Sequence, residues 1–151
     1  MNRSTIKENI SMILGINWDV EKDKIVLDHE NNLAITIENQ EVGLSFLSEE
    51  VLFQYFNYSD EESITNGILF YLFRLINSKV VFKYFFVNNH IIRHYVYLCK
   101  DNKKERILTS RHLFSYKAWF RKTNIKETII SFHGVNDFAQ RLSKHFQKTA
   151  L

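Results

Sequence analysis

Asn88-Asn89 stands between two runs rich in Val, Ile, Phe and Tyr, KVVFKYFFV before it and HIIRHYVYLC after it. Asparagine tolerates the left-handed backbone that a two-residue hairpin turn demands, and β-branched and aromatic residues favour pleated strands. The pair therefore dictates a β-hairpin over Lys79 to Cys99. Counting outward from the turn, Val87 faces His90, Phe86 faces Ile91, Phe85 faces Ile92, Tyr84 faces Arg93 and Lys83 faces His94. On this count Tyr84, Arg93, Tyr95 and Tyr97 share one face, and His90 and His94 share the other. A helix would stack histidines four apart as a metal site. On one strand they stand about 13 Å apart, too far to share an ion.

The rest of the chain punctuates clearly. Thr5 to Ile16 reads as a helix opened by a capping box between Thr5 and Glu8, with Ile6, Ile10, Ile13 and Leu14 on one stripe and Gly15 and Asn17 as its stop. Lys24 to Asp28, Leu33 to Glu38 and Val42 to Leu47 form a three-strand antiparallel meander, because the separators are short and polar. Ser59-Asp60-Glu61-Glu62 opens a central helix from about Asp60 to Asn77. That helix is apolar nearly all round, with Ile64, Ile68, Leu72, Leu75 and Ile76 on one flank and Leu69, Phe70 and Phe73 elsewhere. A helix lying on a single sheet needs one apolar stripe, so these five residues are predicted to meet another subunit.

Beyond the hairpin, Asp101 to Glu105 reads as a solvated turn, Arg111 to Arg121 as a short helix and Thr128 to Phe132 as a strand. Gly134 to Gln147 reads as the last helix, with Val135, Phe138, Leu142 and Phe146 inward. The predicted fold is α+β, a meander-plus-hairpin antiparallel sheet packed with helices in the order α-β-β-β-α-β-β-(α/β)-α. It forms one domain over residues 1–151, with an added basic segment at about 100–132.

Chemistry is sparse. His29, His112, His133 and His145 belong to different elements and keep no ligand spacing with one another or with Cys99. The four glycines open no phosphate loop. No catalytic residue, metal or cofactor is expected, and the chain is read as non-enzymatic. One cysteine excludes an internal disulfide and suits a reducing, cytoplasmic setting. The N-terminus lacks an apolar signal run, and Ile68 to Ile76 is broken by Arg74, so no membrane insertion is expected. Charge is lopsided: residues 1–75 carry 5 Lys/Arg and 13 Asp/Glu, a net of −8, and residues 76–151 carry 15 and 4, a net of +11. Such a dipole suits a second copy, an acidic protein or nucleic acid.

IKENISMILGI as first helix, KIVLD…LAITIENQEVGLSFL as meander, ESITNGILFYLFRLI as central helix and VNDFAQRLSKHFQ as closing helix together resemble the class I chaperones of type III secretion. The resemblance covers roughly residues 4–99 and 134–148. It implies a cytosolic α/β protein that forms a homo- or heterodimer through its second helix and holds a secreted client or gatekeeper protein. The added segment at 100–132 suggests a specialised member, such as the gatekeeper-associated subunits that set export order.

Two rivals remain. Small size, absent catalytic residues and segregated charge suit an immunity protein that neutralises a bacterial toxin. Tyr84, Arg93, Tyr95 and Tyr97 on a basic hairpin suit a single-stranded RNA-binding module. An aromatic sheet face is more often core beneath a helix, so a protein partner ranks above nucleic acid.

Overall fold

Asn2 starts the first helix: its side-chain oxygen accepts the N–H of Ser4 at 3.1 Å and of Thr5 at 3.4 Å, filling two of the donors a helix leaves open. The computed structural model describes residues 2–19, 21–38, 41–47, 49–54, 60–111 and 122–149. Helix α1 spans Arg3–Leu14, so the expected capping box at Thr5 is replaced by an asparagine cap three residues earlier. Gly15 closes the helix at φ +66°.

The elements are α1, strands β1 (Lys24–Asp28), β2 (Leu33–Glu38), β3 (Glu41–Phe46) and β4 (Glu49–Gln54), helix α2 (Glu61–Ile76), strands β5 (Lys79–Val87), β6 (His90–Lys100), β7 (Lys103–Arg111) and β8 (Asn124–Ile130), a 3-10 turn at His133–Val135, and α3 (Asn136–Thr149). This is the expected α+β class. The strands form two antiparallel sheets of four, ordered β1-β2-β3-β4 and β7-β6-β5-β8. The expected meander and hairpin thus each gain strands and seed separate sheets. The predicted helix at Arg111 to Arg121 lies outside the described residues.

The chain divides into two compact units, residues 1–76 with 132–151 and residues 77–131. The basic segment at about 100–132 supplies two strands of the second unit: β7 pairs with β6, and β8 pairs with β5.

In the first unit α2 packs against α1, α3 and β3. Asp60 caps α2, accepting the Ser63 N–H at 2.7 Å; Ser59, the first residue of the predicted opening, lies outside the described residues. Glu61 Oε1 accepts the N–H of Asn2 at 2.8 Å and ties the starts of α1 and α2 together. Ile6, Ile10 and Leu14 of α1, Leu33, Ile35 and Ile37 of β2, and Leu142 of α3 are fully buried. Phe146 of α3 meets Phe70 edge-on at 5.9 Å and Phe73 at 5.8 Å, and His145 shares a hydrogen bond with Asn66 at 2.8 Å.

Candidate nucleic-acid interface

The β5–β6 turn forms as Asn88-Asn89 requires, with both residues left-handed at φ 49° and 65°. Asp101-Asn102 repeats the device between β6 and β7, at φ 49° and 63°. The predicted loop from Asp101 to Glu105 is thus a two-residue turn followed at once by strand.

Register holds for two pairs, Val87 with His90 and Phe86 with Ile91, and then slips. Ile92 is an extra residue, so Phe85 pairs with Arg93, Tyr84 with His94 and Lys83 with Tyr95. One inserted residue exchanges the faces of everything beyond it. This corrects the expected site in two ways. His90 and His94 fall on opposite faces of β6. Tyr84 leaves the Arg93, Tyr95 and Tyr97 set for the other face, where its ring lies 5.5 Å from the buried His94.

On the face that keeps Arg93, Tyr95 and Tyr97, the neighbours include Lys83 and Phe85 of β5, Lys104 and Arg106 of β7, and Ile125, Glu127 and Ile129 of β8. The Arg93 guanidinium lies 4.2 Å from the Phe85 ring centre, Lys104 Nζ lies 4.2 Å from that of Tyr97, and the Arg106 guanidinium lies 5.1 Å from that of Tyr95. Phe85 meets Tyr95 edge-on at 5.3 Å. These separations are those of cation–π attraction, in which a cation sits on the electron-rich ring face. Arg93, Lys104 and Arg106 are exposed, Tyr95 and Tyr97 half-buried, and Phe85 nearly closed at 8%. Lys83 Nζ is 3.4 Å from Glu127 Oε1, the face's one acid among the described residues.

Charge follows the same boundary as the fold. Residues 77–131 hold 12 Lys/Arg and 3 Asp/Glu, a net of +9; the remaining residues hold 8 and 14, a net of −6. Phe85, Lys104 and Arg106 are the members that sequence reasoning left out. The alternation of Lys104 and Arg106 after an Asp-Asn pair is the signal that identifies these two cations.

The residues predicted to meet another subunit lie inside the chain. Ile64, Ile68, Leu72, Leu75 and Ile76 are 1, 0, 0, 2 and 8% exposed within a single chain. Their apolar surface is covered from inside the chain, and of the large apolar residues of α2 it is Phe70, at 49%, that stands exposed. Among the described residues no helix is long and apolar enough to cross a membrane, and no His, Cys, Asp and Glu side chains group as a metal site.

What the geometry defines is an α+β protein with a cationic, aromatic sheet face carried on a basic unit. A family model described as Poxvirus D5 protein-like matches residues 87–150, somewhat under half of the chain, from the end of β5 through α3. No curated protein and no solved structure matches.

Proposed function

We propose that the protein is a non-enzymatic binding module that takes single-stranded nucleic acid on the β5–β8 sheet. One observation carries the reading: exposed cations lie directly over aromatic rings on one sheet face of a unit with net charge +9. Rings offer stacking surfaces to unpaired bases, and the guanidinium and ammonium groups reach phosphates; together these are what single strands require. A duplex hides its base faces and offers only phosphates to such a surface. Fluorescence anisotropy with a short labelled RNA strand, the DNA strand of the same sequence and their duplexes tests this. Binding of a single strand well above its duplex supports the reading, and preference between RNA and DNA shows whether the 2′-hydroxyl is sensed. Equal binding of duplex and single strand, or no binding at low salt, overturns it.

A second reading is the type III secretion chaperone or gatekeeper-associated subunit, supported by the order of elements from α1 to α3. With the α2 residues enclosed, its client or partner would meet another surface. Co-expression with secretion clients followed by light scattering tests it, and the absence of a stable complex with any of them removes it.

A further inference from the structure

We propose that strand β8 is the surface through which two copies of this chain pair, edge to edge, into a continuous eight-stranded sheet. β8 ends the order β7-β6-β5-β8, and Asn124 to Ile129 are all exposed. Its register against β5 is unbroken from Asn124 to Ile130, so its outer edge is straight, without the bulge or proline that usually guards an edge strand. Ile125 is 56% and Ile129 61% exposed, four residues apart on one face.

That spacing is self-complementary about Glu127. In an antiparallel pair the residues directly opposite share a face, so a two-fold axis through a residue position keeps like faces of both sheets on one side. With the axis at Glu127, Ile125 lies opposite the partner's Ile129, and Ile129 lies opposite the partner's Ile125. Moving the axis to Lys126 would oppose two lysines and set each Ile125 against a glutamate. At Glu127 two carboxylates face each other, and Lys83, 3.4 Å from Glu127 in each copy, sets a cation beside each of them. The two Phe85–Tyr95–Tyr97 faces then lie on the same side of the joined sheet. The pairing does not depend on nucleic-acid binding. A single strand pair is smaller than the roughly 1,200–2,000 Å² of a standard stable interface, so the dimer forms with rising concentration rather than as a permanent unit.

Sedimentation velocity of the full chain over a concentration series should show a monomer–dimer equilibrium. Ile129→Lys alters both isoleucine pairs at once and is expected to weaken association about tenfold. The residue is exposed, so circular dichroism should be unchanged. Glu127→Gln removes the facing carboxylates and should tighten association. Cross-linking reads the register. In a Cys99→Ser background, a mixture of Ile125→Cys and Ile129→Cys chains should form disulfide dimers, because opposed Cα atoms lie about 4.5–5.5 Å apart. Either variant alone should not, since its two copies stand roughly 13 Å apart along the strand. A monomer at every concentration overturns the proposal, as does a dimer indifferent to Ile129→Lys or one that cross-links Ile125→Cys to itself.

Discussion

Salt dependence and ring removal should separate the two halves of the proposed interface. Arg93, Lys104 and Arg106 are the three exposed cations that lie over rings of the aromatic face, and Lys83 is already engaged by Glu127. If each of the three neutralises one phosphate, the logarithm of the binding constant should fall with the logarithm of salt at a slope of about −0.7 per contact, or about −2.1 in all. Between 50 and 200 mM salt that amounts to a loss of roughly 18-fold. Arg106→Gln should bring the slope to about −1.4. Tyr95→Ala should leave the slope alone and weaken binding by about 1–3 kcal/mol, or roughly 5- to 150-fold, if one base stacks there. Tyr84→Ala, on the opposite face, should leave both quantities close to wild type. Anisotropy titrations of a labelled single strand at four or five salt concentrations measure slope and intercept together. A flat slope refutes the phosphate contacts. A steep slope with Tyr95→Ala indistinguishable from wild type refutes stacking and leaves diffuse charge attraction, and an effect of Tyr84→Ala equal to that of Tyr95→Ala refutes the assignment of faces.

Other outcomes follow from the first unit. Leu72 is fully buried, so Leu72→Ala should lower the urea-unfolding free energy by about 2–5 kcal/mol, and a loss near zero would show that α2 is not enclosed by its own chain. Asp60 is held below its ordinary 3.8, chiefly by the Ser63 N–H, and Glu61 below its ordinary 4.5, chiefly by the Asn2 N–H. Carboxyls depressed in the folded state stabilise it fully above their unfolded values and lose that contribution as pH falls through the folded ones. Thermal midpoints should therefore drop below about pH 4, and Asp60→Asn with Glu61→Gln should flatten that limb. Gly15→Ala forces an L side chain into φ +66° and should cost about 1–2 kcal/mol by the same urea assay.

How far the sequence reached depended on whether a turn or a register carried a chemical mark. Asn88-Asn89 announced its hairpin, because asparagine pairs are among the few that accept a left-handed backbone twice in succession. The bulge at Ile92 left no such mark: an isoleucine there looks like any strand residue, yet it moved Tyr84 and His94 to the other face. Strand β4 escaped because its entry passes through Leu47 at φ 54°, a residue type that carries no turn signal. β7 escaped because KKER has the composition of a solvated loop, and a strand with one cationic, exposed face lacks the apolar alternation by which strands are recognised.

Helix α2 forms where the sequence predicts it, and its apolar surplus is buried within its own chain. All-round hydrophobicity says that more than one side is covered and does not say by what. Here α1 and α3 flank it, and α3 arrives from the far end of the chain, beyond the whole inserted sheet. The contrast with the β5–β8 face is what favours the proposed function there. A helix packed over apolar residues is a permanent lid, removed only by unfolding. An arginine lying on a phenylalanine is a loose one: the contact contributes about 0.5–1 kcal/mol at an exposed site, and the side chain can swing aside without disturbing the strand beneath. Arg93 over Phe85 and Lys104 over Tyr97 thus shield their rings from water in the free protein while leaving them open to exchange. A ligand bearing both planar rings and anionic groups satisfies that exchange in one event, because its rings replace the cations on the aromatics and its charges receive the cations displaced. Single-stranded nucleic acid has both at every repeat, which is why this reversible cover, rather than the enclosed helix, is the surface on which a partner is expected.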